Sequence, residues 1–375
     1  MEHLYLKEFD ILKNYIFLDH AAVSPIPERC VKAGYQYYNE LSQHSHTHLN
    51  KWFEKRNNVK KMLAKMLECS NDEIAITKNT TEGILHIVNS LDWHSGDNVI
   101  LFSNEYPANV YPWLNLERQN VEIRFVPETD NKFLIEDIEN QIDSHTRLLS
   151  VSFVEFSTGY KNNLLEIGKL CKRKNIIFVV DAVQALGAIP IDVKKFNIDF
   201  LSAGGHKWLM AGTGIGCFYA NLASISKLKN HNFSFGGVEN PHNDFLNYHH
   251  PPKPTAARFE EGMFNLGGLY TLEASLELLL EIGIEEIYKH LIVLTDHIIN
   301  GITTKGYKLL TPVEKEHRSG IISFYSDKFD TNDIISILSK NNIIVSNRRD
   351  CIRVSPHFYN TIDHINEMLK LLPEA

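Results

Sequence analysis

Lys207 closes the tetrad Gly-Gly-His-Lys, which follows an apolar run at residues 198–201. A free ammonium group so close to a buried strand would be costly to desolvate, so this lysine must be exposed, paired or used covalently. A second apolar run, at residues 176–180, ends in Asp181. An acid after one strand and a lysine after another suit pyridoxal phosphate chemistry, because the carboxylate can keep the pyridine nitrogen protonated and the lysine can form a Schiff base.

Short apolar runs alternate with longer mixed segments between residues 73 and 219. The runs predict strands at residues 99–102, 121–126, 148–154, 176–180, 200–202 and 215–219. This alternation indicates βα units and a mostly parallel, buried sheet. Ligands of such sheets gather beyond the carboxyl ends of the strands, where Asp181 lies. Asn79 is placed to cap a helix, with Glu82 at the capping-box position.

The C-terminal part of the chain has a different pattern. A Pro- and His-rich loop at residues 241–254 precedes a predicted helix over residues 266–291. A compact αβ unit then follows, with strands expected at residues 321–325, 343–346 and 351–354 and helices at residues 331–340 and 360–372.

Seven short motifs follow one another along nearly the whole chain. In order they are LDHAAVSP (residues 18–25), NTTEG (79–83), EYPANVYPW (105–113), DAVQ (181–184), GHKW (205–208), RFEEG (258–262) and RVSPHFYNT (353–361). Together they resemble the class V aminotransferase family of fold-type I pyridoxal-phosphate enzymes, which includes cysteine desulfurases, kynureninases and isopenicillin N epimerases. The motif at residues 105–113 is most similar to the epimerase and generic aminotransferase branch.

The resemblance implies a fold and an assembly. It predicts an α/β, fold-type I enzyme with a large cofactor-binding domain at residues 17–255, built on a mostly parallel central sheet. A small αβ C-terminal domain would occupy residues 256–375, and the N-terminal segment, residues 1–16, would join the two. Pyridoxal 5′-phosphate is the implied cofactor, and a homodimer with two equivalent sites is the implied assembly.

The resemblance also assigns roles to individual residues. Lys207 and Asp181 are the expected catalytic residues, and Arg353 and His20 are expected to bind substrate. The expected cofactor-binding residues are Thr80, Thr81, Tyr106, Asp181, Gln184, His206 and Lys207.

Residue chemistry supports the assignments of four of these residues. The helix N-terminus at Thr80 and Thr81 offers free N–H groups and a positive dipole end to a phosphate. The ring of Tyr106 can stack on a pyridine face. The planar guanidinium of Arg353 can bind a substrate carboxylate through two hydrogen bonds.

The chain departs from the family pattern at two places. Met263 stands where relatives usually have a threonine whose hydroxyl reaches the cofactor phosphate of the partner subunit, and a thioether cannot donate in its place. Only residues 347–352 separate Ser346 from Arg353, where desulfurases insert a mobile loop that carries a nucleophilic cysteine. Alternation along the predicted strand puts Cys351 on the same side as Arg353, but the missing loop disfavours a nucleophilic role.

Composition and charge limit the partners and the cellular location that can be expected for this chain. The 375 residues carry a net charge of −8, and basic side chains do not cluster, so nucleic acid is not an expected partner. The longest apolar runs are strand-sized, so no membrane partner is expected. Five scattered cysteines and an N-terminus unlike a signal or transit peptide favour a cytoplasmic location. Neither the histidine tract at residues 44–48 nor the glycines at residues 212–216 predict a metal or nicotinamide site.

The expected function is that of a pyridoxal-phosphate enzyme acting on a small amino acid, through an external aldimine and removal of the α-proton by Lys207. Transamination and β-elimination with C–S cleavage are the leading expectations. Three alternatives stay open: an epimerase of the isopenicillin N type, a cysteine desulfurase without the usual loop, and a noncatalytic cofactor-binding sensor or scaffold. Arg348 and Arg349, close to Arg353 in sequence, could read a second acidic group.

Overall fold

Two main sheets organise the protein. The computed structural model describes residues 5–229 and 233–375. Numbered in chain order, its strands are β1 (Ile16–Phe17), β2 (Ile74–Thr77), β3 (Asn98–Phe102), β4 (Glu122–Val126), β5 (Thr146–Ser152), β6 (Ile177–Asp181), β7 (Phe200–Gly204), β8 (Gly216–Ala220), β9 (Lys308–Leu309), β10 (Ile322–Tyr325), β11 (Ile343–Ile344), β12 (Ser346–Arg348) and β13 (Cys351–Val354).

The larger sheet has seven strands in the order β2-β8-β7-β6-β5-β3-β4. Strands β4, β3, β5, β6 and β7 run parallel, and β8 is antiparallel to both of its neighbours. Side chains along β3 alternate between two separate cores, one on each face of the sheet. Burial on both faces explains the continuous apolar runs in the sequence. The predicted strands β3 to β8 are confirmed to within two residues at each end.

Helices cover both faces of this sheet and one face of the smaller one. They are α1 (Glu28–His44), α2 (Leu49–Met66), α3 (Thr80–Ser90), α4 (Tyr111–Leu114), α5 (Ile135–Asn140), α6 (Leu164–Lys174), α7 (Leu222–Ile225), α8 (Leu266–Ile282), α9 (Ile284–Thr304), α10 (Thr331–Lys340) and α11 (Ile362–Leu371). Within the described residues, no helix is both long and apolar enough to cross a bilayer.

The start of α3 is fixed by a side-chain cap. Asn79 Oδ1 accepts a hydrogen bond from the Glu82 N–H at 2.9 Å, which confirms the predicted cap. The predicted capping box is wrong in its second half, because the Glu82 carboxylate accepts from the N–H of Lys78 and not from that of Asn79. With this cap, the helix begins at Thr80 beside the end of β7, where the Thr80 hydroxyl accepts from the Gly204 N–H at 3.0 Å.

The smaller sheet is antiparallel, in the order β12-β13-β10-β9, and α9, α10 and α11 enclose its core. The N-terminal strand β1 pairs in parallel with β11 and so extends this part of the fold. Just before β1, the ring of Phe9 packs 4.2 Å from that of Tyr359, while Glu8 pairs with Arg29 of α1. The described part of the N-terminal segment therefore contacts both halves; its first four residues lie outside the described ranges.

A short loop after β5 docks the two sheets together. The backbone carbonyls of residues 156–159 each accept a hydrogen bond from a side chain of the C-terminal part. The donors, in the order of the carbonyls, are Arg353, Ser323, Thr311 and Ser319. The carboxyl end of β5 and the face of the smaller sheet are thus held in one arrangement.

The predicted helix at residues 266–291 is wrong, because two helices occupy this region. The chain breaks between α8 and α9 at Gly283, whose φ of 89° suits a residue without a Cβ. Helix α8 packs on α1 and α2 and contributes leucines to the core of the larger sheet, whereas α9 packs on the smaller sheet. The division at residue 255 stays a prediction, and this packing favours a boundary near Gly283 instead.

Candidate active site

Asp181 and Lys207 meet at the carboxyl edge of the larger sheet. Asp181 is the last residue of β6, and Lys207 lies three residues beyond the end of the neighbouring parallel strand β7. Lys207 is buried, with 7% of the residue exposed. The arrangement predicted from the two apolar runs is therefore present in the fold.

The electrostatics of this pair follow from burial. Burial lowers the pKa of Lys207 to about 8, against the attraction of the Asp181 carboxylate; the positive charges of Arg353 and Arg348 lower it further. Burial also raises the pKa of Asp181 to about 6, although the Val183 N–H bonded to Oδ1 and the charge of Lys207 both favour the ionised form. Near neutral pH, Lys207 can thus supply a neutral amine beside a mostly ionised carboxylate.

One oxygen of Asp181 has no partner. Oδ1 accepts from the Val183 N–H at 2.8 Å, but Oδ2 is buried and makes no hydrogen bond to any described residue. A buried acceptor without a donor is costly, and a protonated ring nitrogen would satisfy it. The orphaned oxygen gives Asp181 the chemistry expected of a partner for a pyridinium group.

Tyr106 forms the open side of the site. Its ring centroid lies 5.2 Å from Lys207 Nζ, and the residue is 43% exposed. An edge-to-face contact with Phe156, at 5.2 Å between centroids, supports the ring on one side. The tyrosine is therefore placed to cover a flat ring that lies against Lys207.

The N-terminus of α3 lies beside His206. The Thr80 hydroxyl uses its oxygen to accept from the Gly204 N–H, which leaves its hydrogen available for an anion. Thr81 and His206 are half-buried nearby, and a Cβ on Gly204 would come within 2.9 Å of the His206 imidazole. A glycine at 204 thus lets the histidine approach the helix N-terminus, where a phosphate would be favoured.

Gln184 and His20 have protein partners. Gln184 donates to the carbonyl of Ala21 at 3.0 Å and accepts from the Trp208 indole at 2.8 Å, which fixes the residue after Lys207. His20 is fully buried, bonded to the Tyr359 hydroxyl at 2.8 Å, and burial lowers its pKa to about 3, so the imidazole is neutral. The roles of both residues toward cofactor and substrate stay predictions.

Arg353 on β13 comes from the smaller sheet and is 1% exposed. Its Nη1 donates to the carbonyl of Phe156 and its Nη2 to the carboxylate of Asp19, both at 3.0 Å. Its Nε is buried without a partner among the described residues. A guanidinium with an unpaired Nε can donate hydrogen bonds to a carboxylate. The positive charge of Arg353 also lowers the pKa of Lys207.

Comparisons with known proteins agree with this site. The family model of class V aminotransferases matches residues 16–368. The chain belongs to the class V aminotransferase family. Similar proteins include a probable cysteine desulfurase of Borreliella burgdorferi, 30% identical over 97% of this chain and 92% of that protein, and one of Pyrococcus abyssi, 28% identical over 98% and 96%. An uncharacterized aminotransferase of Bacillus subtilis is 26% identical over 98% and 97%.

Solved structures share the fold. The apo cysteine desulfurase of Thermococcus onnurineus superposes with a TM-score of 0.89 at 24% identity, covering 98% of this chain and 96% of that one. The cystine C-S lyase C-DES, in a complex with cysteine persulfide, gives a TM-score of 0.86 at 22% identity over 97% and 98%. The predicted family and fold class are confirmed.

As a class V aminotransferase-family enzyme, the protein uses pyridoxal 5′-phosphate and acts as a transferase or a lyase. The residues present fit this cofactor, since the orphaned oxygen of Asp181, the lowered pKa of Lys207 and the accessible ring of Tyr106 each match one of its groups. The described residues contain no cluster of three or more potential ligands for a metal ion.

Two buried acids of this class V enzyme were missed by sequence reasoning. The Glu105 carboxylate accepts from the N–H and the hydroxyl of Ser152, next to Asp181 in the sheet. Glu155 accepts from the Asn162 amide at 2.7 Å, and burial together with the charge of Glu105 raises its pKa well above the ordinary value. A glutamate inside the apolar run at residues 151–156 is the signal that could have indicated a buried acid.

Burial disfavours the thiolate form at every cysteine of this class V enzyme. All five are free, and burial raises the pKa of each, to about 12 for Cys30 and Cys69. Cys351 shares a strand face with Arg353, as predicted, and is buried. Nucleophilic sulfur chemistry requires a thiolate, which none of these sites stabilises.

The structure also shows where Met263 lies and which of the two arginines near Arg353 is engaged by another residue. Met263 is 73% exposed, so its thioether lies at the surface of the chain. Arg349 is engaged by Glu128, with Nη1 bonded to both carboxylate oxygens at 3.0 and 2.9 Å. Of the two arginines expected to bind a second acidic group, Arg348 therefore remains the candidate. It lies on β12 on the same face as Arg353.

Proposed function

We propose that this enzyme is a lyase that eliminates a sulfur-bearing β-substituent from a small amino acid such as cysteine or cystine. The observation that carries the proposal is the position of Cys351: relatives named as cysteine desulfurases point to a sulfur amino acid, while Cys351 is buried in strand β13, 4% exposed, where burial raises its pKa. Because Cys351 is fixed in a strand and cannot move to the substrate, the sulfur would leave with its own substrate fragment.

In this proposal, each side chain of the site has a separate role in the reaction. Arg353 would bind the α-carboxylate through its free edge, and Tyr106 would cover the reacting face. Pyridoxal phosphate, when bound, supplies the electron sink that acidifies the α-proton. Lys207, whose pKa burial lowers to about 8, would take that proton in its neutral form, while Asp181 would hold a positive charge at the ring nitrogen.

The elimination is balanced without an external oxidant. Lys207 accepts the α-proton, the electron pair of the α C–H bond forms a double bond to Cβ, and the Cβ–S bond breaks with its pair going to sulfur. Cysteine would release sulfide and cystine would release cysteine persulfide. The remaining aminoacrylate hydrolyses to pyruvate and ammonia, so pyruvate reports the reaction.

A product assay tests this function. Holoenzyme is incubated with a panel of amino acids that includes cysteine, cystine and alanine, with and without a keto-acid acceptor, and pyruvate, ammonia and sulfide are measured. We expect pyruvate and sulfur release from a sulfur amino acid without an acceptor, equally in Cys351→Ser. Turnover only with the acceptor would establish a transaminase, a change of optical rotation alone an epimerase, and loss of activity with Cys351→Ser a desulfurase.

We also propose a cytoplasmic homodimer. Five free cysteines suit a reducing compartment. Two adjoining surface pockets, which share Phe235, present a patch of apolar side chains that a second copy could bury: Phe53, Phe233, Phe235, Phe245, Tyr248 and Met263. Sedimentation should give a dimer that Phe245→Glu with Tyr248→Glu dissociates, whereas Val293→Glu, at an exposed position on α9, leaves it intact. A monomer with full activity would contradict the dimer.

A further inference from the structure

Asp19 is held rigidly where the N-terminal strand meets the smaller sheet. Residues on both sides of it pair with the backbone of Ser355, since His20 donates to the Ser355 carbonyl and the Ser355 N–H donates to Leu18. Two residues on, the carbonyl of Ala21 accepts from Gln184, which lies three residues beyond the end of β6 in the larger sheet. The backbone around Asp19 is therefore tied to both halves of the site.

The side chain of Asp19 has two defined donors. Its Oδ1 accepts from Arg353 Nη2 at 3.0 Å and from the Ser346 hydroxyl at 2.8 Å. Both members of the ion pair are buried, with Asp19 9% and Arg353 1% exposed. Burial of two charges is costly, so such a pair is weak evidence for a role in stability and needs a reason in function.

The remaining contacts of Arg353 leave one edge open. Nη1 is occupied by the Phe156 carbonyl and Nη2 by Asp19, and Nε is buried without a partner among the described residues. A guanidinium binds a carboxylate side-on through Nε and the nearer hydrogen of Nη2. Asp19 and the Phe156 carbonyl thus occupy the two Nη atoms and leave Nε unpaired.

We propose, resting on the proposed function, that Asp19 is a positioning residue that holds Arg353 with its Nε edge free for the substrate carboxylate and stays in place when that carboxylate binds. The guanidinium of Arg353 then forms hydrogen bonds to two carboxylates at once, those of Asp19 and of the substrate. Arg348, on the same strand face as Arg353, provides the second positive charge that this arrangement needs.

This arrangement predicts that Asp19 affects carboxylate binding and turnover in opposite directions. The charge of Asp19 partly neutralises Arg353 before substrate arrives and repels the incoming carboxylate, so it weakens carboxylate binding while it improves orientation. Removal of the charge should therefore strengthen binding and slow turnover. A side chain with only a structural role would weaken both when replaced.

The test measures binding and turnover separately in holoenzyme. Propionate binding is measured by calorimetry, with propionamide as the uncharged control ligand, and kcat and KM are measured for the amino acid that the enzyme turns over. We compare Asp19→Asn, which keeps the shape and removes the charge, with Ser346→Ala, which removes one anchor of Asp19. Asp10→Asn, at an exposed aspartate, is the matched control.

For Asp19→Asn we expect propionate to bind about three- to tenfold more tightly, kcat to fall about tenfold or more, and KM not to rise. Ser346→Ala should lower kcat less and leave the affinity for propionate within about twofold. If Asp19→Asn weakens propionate binding, or leaves binding and kcat unchanged, the positioning role is wrong. Propionate that fails to bind the unmutated protein would instead refute the proposed role of Arg353, and absence of turnover with a normal propionate result would refute the proposed reaction alone.

Discussion

The environment of Lys207 predicts that cofactor-free protein captures pyridoxal phosphate covalently at neutral pH. Burial lowers the pKa of this lysine from its ordinary 10.5 to about 8. The difference corresponds to roughly 3 kcal/mol of lost preference for the charged form. At pH 7.5 about a quarter of Lys207 would be neutral, against about one part in a thousand for an ordinary lysine. Because only the neutral amine is nucleophilic, capture should accelerate with rising pH and level off above about pH 9.

The assay follows the rate of capture between about pH 6 and pH 10. Borohydride reduction traps the product and peptide mapping identifies the modified lysine. Division by the rate constant for the neutral form of a simple alkyl amine, obtained at each pH from its own known pKa, removes the titration of the cofactor itself, so the ratio follows the neutral fraction of Lys207. Lys207→Arg supplies the background from surface lysines.

A second variant checks the cause of the shift. The carboxylate of Asp181 raises the pKa of Lys207 against the effect of burial, so Asp181→Asn should move the midpoint of capture to lower pH. A midpoint near 10 in the unmutated protein, or trapping on a lysine other than 207, would refute the reasoning.

Three further predictions concern neighbouring residues. Asp181→Asn should keep covalent cofactor but lower kcat about ten- to a hundredfold, because a charge-assisted hydrogen bond contributes about 1.5–3 kcal/mol; an unchanged kcat would contradict the role of its orphaned oxygen. Arg353→Lys should lower kcat/KM by a similar 1.5–3 kcal/mol or so, with little change in cofactor absorption, and equal kcat/KM for the amino acid and its carboxamide in the unmutated enzyme would contradict carboxylate binding. Gly159→Ala should lower the free energy of unfolding by about 2 kcal/mol or more, because φ is 73° and the new Cβ would meet the Ile321 carbonyl oxygen at 2.3 Å; Gly96→Ala, at φ 91° in open space, should cost only about 1 kcal/mol in the same denaturant titration, and equal losses would contradict the steric argument.

The sheet could be predicted from sequence because its strands are buried on both faces. Runs such as residues 176–180 are apolar without interruption, and their ends place Asp181 and Lys207 at one edge. The break at Gly283 was missed, since good helix-forming sequence continues on both sides of it and only the change of packing partner requires the turn. Pattern alone cannot report which core a helix face contacts.

The site could be predicted only where one residue type implies the chemistry. The lysine and the strand-end acid carry that information themselves, whereas the partners of Arg353 do not. Asp19 lies 334 residues away in sequence, and the Phe156 carbonyl has no side-chain signature at all. Arg349 could not be separated from Arg348 without knowledge that Glu128 faces it. Electrostatic pairing between distant segments is a property of the fold and is invisible to local spacing.

The loop at residues 156–159, which joins the two sheets, limits the routes by which substrate could enter. Four side chains of the C-terminal part bond to consecutive carbonyls at residues 156–159, and each such bond contributes about 0.5–1.5 kcal/mol. Rotation of the smaller sheet away from the larger one would break all four and would also withdraw Arg353 from the site. Entry past the exposed ring of Tyr106 breaks none of them. We therefore expect Arg353, the proposed carboxylate-binding residue, to stay in place as substrate arrives, and we expect the exposed ring of Tyr106 to move in preference to the C-terminal sheet.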